Sequence, residues 1–513
     1  MVVHYFITHL KITGVMIGIV IIAIAWLFNQ TPTSFIPQED EGVVFANVSL
    51  KETATINHTA ETLENMGKQV LSMEGVKYFI GIGGASLLGG GGENIGMGVV
   101  GLDNWDKRTT KSLSLENILR NLQKTLGHNG IADINFFALP SIPGVGNSNG
   151  LTFQLNAINP ALTAVQLEQA TTDFLLQMNK LPDFLGAFTT LGQLAPHLFL
   201  DVDRTKLESL KVPVDAFFNA LQNNLGSRYV NDITLDGQVN KVIVQADFDY
   251  RKTRQNVEDL YIRSMAGKMV QVQNFADLSI EMLPKIIYRF NTYLSAAITA
   301  QTPENVSTGQ AIDTLTDMIK TLGTDFDISW TGLSLQEVET AGLAFILMGL
   351  AFVFGYLFLV ALYESWLVAF SVIFSNIFAV LGALIGLKLL GLPLSIYAQL
   401  GIVLLIGLAS KNAILIVEFI VDAQQRGESV LMAAVSGATE RFRAVLMTAF
   451  TFILGVMPMV FDTGAGAASQ NSMGTTVFFG MIFATTIGIL FIPALFVIFD
   501  GLGHRKKNNI KRG

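Results

Sequence analysis

Six long apolar stretches constrain the fold of this 513-residue chain more than any other feature of its sequence. A helix needs about 20 apolar residues to cross a bilayer. Only 14% of the residues are charged, against about 25% in soluble domains. This pattern excludes a soluble enzyme and a disordered chain, and it predicts a multi-pass membrane protein. The stretches are Ile12–Phe28, Leu343–Leu362, Leu367–Leu387, Ser395–Val421, Ala444–Val460 and Thr475–Ile498.

Basic residues near the ends of the spans predict the orientation. Lys11 precedes the first span, Arg441 and Arg443 are expected in the loop after the fourth, and the tail at 504–513 is basic. With six crossings these groups share one side, so both termini are expected in the cytoplasm. The polar stretch 29–340 then lies outside.

The polar stretch has the pattern of two β-α-β units. The first is read as strand, helix, two strands, helix and strand, a ferredoxin-like split unit. The second is read as interrupted by an insert at 196–283. The first unit is Val43–Leu50, Ala54–Met73, Val76–Ile82, Ile95–Leu102, Leu115–Leu126 and Ile131–Ala138. The second is Leu151–Leu155, Leu162–Met178, Ile286–Thr302, Thr308–Leu322 and Phe326–Ser329, with an insert helix at Val214–Leu221.

Several site classes are excluded by composition. The chain has no cysteine, which rules out thiolate metal sites and thiol nucleophiles, and its six histidines lack metal-ligand spacing. Residues 81–92 hold seven glycines without a Gly-Lys-Ser/Thr ending, so they indicate a mobile loop between strands and not a phosphate cradle. The acidic first part argues against nucleic acid. No cofactor and no metal is therefore expected.

Lys411 is the strongest single feature, near the middle of the fourth stretch. An ammonium group at mid-bilayer costs roughly 3 kcal/mol on insertion scales. Lys411 is expected to face the interior of the bundle and a partner anion. The pair is either fixed or switches as a carboxylate gains and loses a proton. Glu418 is the only carboxylate inside a span, and it is expected at the membrane interface. Without a carboxylate at mid-membrane, the chain is expected to lack half of a proton relay.

Two residues of the fifth helix leave alternatives open. Thr448 either hydrogen-bonds across helices or bonds a carbonyl of its own helix. Arg441 is equally explained by the charge rule for orientation. Four residues at strand ends near the glycine-rich segment are either core residues or ligand contacts, namely Phe79, Phe136, Phe137 and Leu139.

Five motifs together resemble the resistance-nodulation-division (RND) superfamily, in its hydrophobe/amphiphile efflux branch of AcrB-like multidrug pumps. The likeness covers nearly the whole chain, which looks like the C-terminal half of such a pump. The motifs are Ser34–Gly42 (SFIPQEDEG), Tyr229–Asp232 (YVND), Ala361–Trp366 (ALYESW), Ser410–Phe419 (SKNAILIVEF) and Gly455–Pro458 (GVMP).

The resemblance implies an α+β membrane protein of six transmembrane helices, with ferredoxin-like units in the periplasm between helices 1 and 2. It also implies a boundary for each part. These are a first transmembrane helix at 1–28, a first porter-like subdomain at 29–149, a second at 150–195 and 284–335, a docking-like subdomain at 196–283, a five-helix bundle at 336–503 and a basic tail at 504–513.

The resemblance also implies roles for particular residues. Lys411, Thr448 and Arg441 match the family's proton relay, whose aspartates belong to the missing N-terminal half. Phe79, Phe137 and Leu139 match pocket-lining positions, and Ser86 and Leu87 lie in a stretch like the switch loop. Departures from the family include Gly84, Ala85 and Ser86, where phenylalanines are frequent, Val99 at an aromatic position, and Ala444 at a familiar proline.

The expected function is that of half a proton antiporter in the Gram-negative inner membrane, a secondary transporter and not an enzyme. It would export hydrophobic or amphiphilic compounds. The expected partners are the missing half, two further copies in a homotrimer, a periplasmic adaptor, an outer-membrane channel and the lipid bilayer. The alternative is a truncated or split-gene fragment that only associates or has no transport activity.

Overall fold

Among the residues that the structure describes, six long apolar helices accompany a large mixed region of strands and helices. The computed structural model describes residues 2–127, 130–142, 144–192, 194–284, 286–303, 306–340 and 342–510. The expected α+β fold with six apolar helices is confirmed. Lys511 and Arg512 of the expected basic tail lie outside the described residues.

The helices are α1 (Val2–Thr8), α2 (Leu10–Gln30), α3 (Ile56–Val70), α4 (Leu115–Leu126), α5 (Ala164–Met178), α6 (Arg204–Ser209), α7 (Val214–Leu221), α8 (Arg254–Glu258), α9 (Thr308–Ile319), α10 (Gly332–Thr340), α11 (Leu343–Tyr363), α12 (Trp366–Phe374), α13 (Ile377–Leu390), α14 (Ile396–Gln425), α15 (Val430–Val460), α16 (Ala467–Phe483) and α17 (Ile489–Ile510). The strands are β1 (Val43–Leu50), β2 (Val76–Ser86), β3 (Gly90–Leu102), β4 (Ala132–Phe137), β5 (Leu151–Ala157), β6 (Gly186–Thr189), β7 (Ala195–Val202), β8 (Arg228–Leu235), β9 (Gln238–Val244), β10 (Tyr261–Arg263), β11 (Met269–Gln271), β12 (Ala276–Leu283), β13 (Arg289–Phe290), β14 (Tyr293–Gln301) and β15 (Phe326–Trp330).

Two of the spans are interrupted. The third consists of α12 and α13, which meet at a turn at Ser375 and Asn376. In the sixth, a short π-helix at Ala484–Gly488 joins α16 to α17. The candidate spans are Leu10–Gln30, Ile346–Tyr363, Trp366–Leu390, Ile396–Gln425, Val430–Val460 and Ala467–Asp500.

The fifth span begins at Val430 and not near Ala444. The hydroxyl of Ser429 caps it by accepting a hydrogen bond from a backbone N–H three residues on. The expectation that Arg441 and Arg443 lie in a loop is therefore wrong, because hydropathy detects only the apolar part of a helix. Small residues of the added turns are buried, namely Ala433, Ala434, Gly437 and Ala438.

The first sheet contains β1 to β4, all antiparallel, in the order β2-β3-β1-β4. Helices α3 and α4 pack on one of its faces, where Val44, Ala46 and Val48 of β1 are fully buried. This is the strand order of a split β-α-β-β-α-β unit.

The glycine-rich segment is not a long loop. Strands β2 and β3 extend through it and leave only residues 87–89 as the connection. The expectation of a mobile loop is wrong, because the two strands pair through the segment and its first glycines make room for α3. A Cβ on Gly81 would come 3.2 Å from Leu63, and a Cβ on Gly83 would come 3.3 Å from Ile56.

The second sheet is assembled from two distant parts of the chain. Its order is β13-β14-β5-β15, with β6 also paired to β14. Strand β5 lies between β14 and β15, so residues 151–157 pair with residues beyond the insert. Residues of α5 and α9, Phe174 and Leu315 among them, complete its core.

The chain divides into two compact units, of which residues 192–287 form one, here called the inserted unit. Strands β7 and β12 pair along their whole length, so the unit begins and ends at neighbouring strands. It has its own core around Phe217, Val272 and Phe275. The side chains of its β8–β9 hairpin are almost all exposed.

Candidate functional site

The helix that carries Lys411 exposes one narrow face. Exposed positions along α14 recur at Leu400, Leu404, Gly407 and Lys411, a spacing that places them on one side of a helix. Lys411 lies near the middle of this 30-residue helix. It forms no hydrogen bond or ion pair with any residue that the structure describes.

Lys411 thus lies on an exposed face within this chain, and the expectation that it faces the bundle interior and a partner anion stays a prediction. The other faces of α14 are already occupied. Leu405 and Ala409 lie in one buried cluster, and Ala413, Ile416 and Val417 lie in another. The helices of this chain thus cover α14 everywhere except along the stripe that contains Lys411.

Thr448 and Arg441 each have a partner other than Lys411. Thr448 is exposed, and its hydroxyl donates to the carbonyl of Val445 at 3.1 Å, so it bonds within its own helix. The guanidinium of Arg441 lies 3.8 Å from the centre of the Phe419 ring, a cation–π contact. Among the described residues, no hydrogen bond joins the three proposed relay residues.

Asn376 is a buried polar residue that the sequence reading did not single out. It lies at the turn between α12 and α13, and its side-chain nitrogen donates to Ser410 Oγ at 2.8 Å and to the Ile406 carbonyl at 3.3 Å. The amide thus holds α14 one residue before Lys411. The signal was present as Ser375-Asn376 inside an otherwise apolar stretch.

The proposed pocket residues are divided between two faces of the first sheet. Phe79 pairs with Val100 and packs against Gly67, on the face that α3 covers. Phe137 pairs with Phe45, on the opposite face, and has no exposed surface. Strands β2 and β4 are the two edge strands of this four-stranded sheet. Because neighbouring strands lie about 4.8 Å apart, the backbones of Phe79 and Phe137 are also about 14 Å apart.

The face away from α3 and α4, here called the open face, is largely apolar. Ile80 and Ile82 are aligned through β3 with Phe45 and Asn47, so all four side chains share this face with Phe137. Ile80 is 52% and Ile82 40% exposed. The sequence reading named only Phe137 among them, although the alternation of residues along β1 and β2 would have found the others.

The tip of the β2–β3 hairpin folds toward the open face. Ser86 Oγ donates a hydrogen bond to Asn47 Oδ1, and Asn147 Nδ2 donates to the Leu87 carbonyl at 3.1 Å. Leu87 is 42% exposed, and Leu139 is half-buried. Ser86 and Leu87 thus lie at one end of a largely apolar surface, on which the buried amide of Asn47 is aligned with the half-buried amide of Asn135.

One protein family matches nearly the whole chain. The model of the AcrB/AcrD/AcrF family matches residues 1–500. Multidrug resistance protein MdtF of Escherichia coli K12 is 34% identical over 487 residues, which cover 94% of this chain and 47% of MdtF.

Two further relatives match this chain with similar identity and coverage. Toluene efflux pump membrane transporter TtgB of Pseudomonas putida is 32% identical over 488 residues, 94% of this chain and 46% of TtgB. Multidrug export protein AcrF of Escherichia coli K12 is 32% identical over 486 residues, 94% of this chain and 47% of AcrF. The chain spans about half the length of the curated relatives it matches.

Proposed function

Since the chain belongs to the AcrB/AcrD/AcrF family of RND proteins, we propose that it is the C-terminal half of a proton-driven efflux transporter. It is a multi-pass protein of the inner membrane. Its two sheets and the inserted unit lie in the periplasm in this proposal. The working assembly is a trimer with a periplasmic adaptor and an outer-membrane channel.

The observation that carries the proposal is the open stripe on α14. An ammonium group with no partner among the residues that the structure describes is costly in hydrocarbon, and an acidic helix from a second polypeptide would offset that cost. A carboxylate near Lys411 would be stabilised in its charged form, and protonation would remove the attraction. Alternation between these two states is a physically sufficient switch for moving helices.

The open face of the first sheet supports the proposed substrate class. Ile80, Ile82 and Phe45 supply apolar contact, while Asn47 and Ser86 supply one polar anchor. Such a surface suits hydrophobic or amphiphilic compounds, because ligand sites are mostly apolar with a few placed polar groups. Leu139 and Leu87 are proposed to line its ends, and Phe79 to support it from beneath.

The test is co-expression with the missing half. The half of MdtF that this chain does not match is expressed with it in an Escherichia coli strain without its own efflux pumps, and dye efflux is measured with and without a proton gradient. Lys411→Ala is expected to lower proton-coupled efflux at least tenfold while the two halves still co-purify. The reason is that an uncharged side chain cannot respond to a carboxylate.

The matched control is Lys388→Ala. Lys388 lies at the end of the third span, where its ammonium is 4.4 Å from the centre of the Trp26 ring and bonds Gln30. Efflux is expected to persist in this variant. Unchanged efflux in Lys411→Ala would remove Lys411 from the mechanism. A wild-type pair that co-purifies without efflux would favour the alternative of a non-transporting fragment.

A further inference from the structure

One short segment contacts both the membrane helices and the external sheets. Residues 31–42, here called the strap, follow α2 directly. On the membrane side, the N–H of Leu394 donates to the Pro32 carbonyl at 2.8 Å, and the N–H of Ile396 donates to the Phe35 carbonyl at 3.0 Å. The strap is thereby fixed to the start of α14, the helix that carries Lys411.

Glu39 fixes the strap to the sixth span. Its two carboxylate oxygens accept hydrogen bonds from the backbone N–H groups of Ala468, at 3.0 Å, and Ser469, at 2.8 Å. These N–H groups belong to the first turn of α16, where the helix dipole favours a negative charge. Glu39 is therefore held by the end of a membrane helix.

Asp40, the next residue, is held by the first sheet. Arg108 donates to its two oxygens at 2.8 and 3.1 Å, a bidentate pair, and the Arg108 side chain is only 2% exposed. Trp105 Nε1 donates to the Asp40 carbonyl at 3.1 Å. The two consecutive carboxylates thus bind different parts of the molecule. Glu39 binds α16, and Asp40 binds the loop that follows β3.

Trp105 adds a second link between the same two parts. Its ring lies beside Gly464, in the connection before α16, where a Cβ on that glycine would come 3.8 Å from the ring. The strap also reaches the second sheet, because Ser34 Oγ lies 3.3 Å from Thr308 Oγ1 at the start of α9. Displacement of α14 or α16 would therefore displace the strap and pull on both sheets.

We propose that the strap transmits movement of α14 and α16 to the first sheet, with Glu39 and Asp40 as its positioning residues. This inference rests on the proposed function, since movement of these helices is what a proton cycle at Lys411 would cause. A merely structural role would predict a less stable protein with normal turnover. A transmitting role predicts a folded protein that binds substrate and turns over slowly.

The first experiment needs only this chain. It contains no cysteine, so Asn121→Cys on α4 and Gln470→Cys on α16, both at exposed positions, give two unique spin-label sites. In lipid nanodiscs we expect one narrow distance distribution, and a broader one after Glu39→Gln. Glu61→Gln, at an exposed carboxylate of α3, is the matched control. An equally narrow distribution in Glu39→Gln would overturn the proposal.

The second experiment measures efflux with the co-expressed half. Glu39→Gln is expected to lower the maximal rate at least tenfold and to leave the KM for dye within twofold. A rise in KM at an unchanged maximal rate would overturn the proposal.

If Glu39→Gln does not fold, Glu39→Asp, one methylene shorter, is expected to give an intermediate loss of rate. If the wild-type pair shows no efflux, the proposed function fails, and the spin-label distances alone decide the role of the strap.

Discussion

Glu337 shows how burial changes the chemistry of a single carboxylate outside the spans. It lies in α10, where Thr308 Oγ1 donates to it at 2.6 Å and the N–H of Phe35 donates as well. Burial raises the pKa of Glu337 from its ordinary value of 4.5 to about 6, and the two hydrogen bonds oppose this rise. The folded protein therefore holds a proton that the unfolded chain would release between these values.

We predict that this proton makes stability depend on pH. The contribution of Glu337 is fully present below about pH 4.5 and is lost as the pH rises through about 6. The difference amounts to about 2 kcal/mol, because one pKa unit corresponds to about 1.4 kcal/mol. The apparent melting temperature of the chain in nanodiscs should fall across this range.

Two variants check this assignment. Glu337→Gln should remove most of the dependence between pH 4.5 and 7, since glutamine does not titrate. Glu339→Gln, at an exposed position of the same helix, should leave the dependence as it is. The same slope in Glu337→Gln and in wild type would assign the titration to another group.

The chemistry of Lys411 stays a prediction, and its position could not be predicted from the sequence. A lysine in an apolar stretch, without an aspartate at the same depth, predicts a partner anion from elsewhere. Its exposure on the stripe was not predictable, because α14 is apolar on nearly all sides and hydropathy does not distinguish them. The partners of Thr448 and Arg441 could not be predicted either, because they depend on how the helices pack against one another.

At the scale of helices, glycines determine how closely the third and sixth spans approach. A Cβ on Gly382 of α13 would come 2.5 Å from the Phe479 carbonyl oxygen of α16, and one on Gly386 would come 2.6 Å from the Phe479 side chain. Small residues allow this approach within a bilayer, where helices associate through close packing.

We predict that Gly382→Ala destabilises the bundle by about 1–3 kcal/mol, because the added methyl group separates α13 from α16. Unfolding of the nanodisc-embedded chain, followed by circular dichroism, would measure the loss. Gly349→Ala on α11, where a Cβ meets no atom within 4 Å, is the control and should be neutral or slightly stabilising. Equal stability of the two variants would contradict the prediction.

The limits of sequence-based prediction are clearest for two elements. The low strand propensity of glycine predicts a loop for the glycine-rich hairpin, but Gly81 and Gly83 lie in β2 where the strand contacts α3. The first turns of α15 escape a hydropathy criterion because they contain polar residues. Helix α4, by contrast, matches its predicted bounds, since Ser114 caps it and its apolar residues follow a helical period.

At the scale of the whole molecule, the inserted unit has the properties of an independent domain. Its first and last strands pair with each other, and its core contains only its own residues. Phe217 is fully buried, 5.2 Å from Phe275 between ring centres, whereas its neighbour Phe218 is 52% exposed.

We predict that residues 192–287, produced alone, fold and melt cooperatively. Phe217→Ala should cost about 3–5 kcal/mol and abolish most of the folded population, because it leaves a cavity. Phe218→Ala is the matched control and should melt close to wild type. A non-cooperative melt of the wild-type fragment would show that this unit needs the rest of the chain.

Long-range pairing was the least predictable feature at this scale. The sequence indicated an interrupted second unit from strands on either side of the insert. The alignment of Leu151 with Ala300 was not available from any local pattern, because only the closed sheet brings these residues together.

The uncovered stripe on α14 has a consequence for the life of the protein in a cell. Without the proposed second polypeptide, a chain whose ammonium group is uncovered on an apolar helix would be a target for cellular proteases. Under the proposed function, synthesis of this chain and of its proposed second half in equal amounts would limit how much of this chain is degraded.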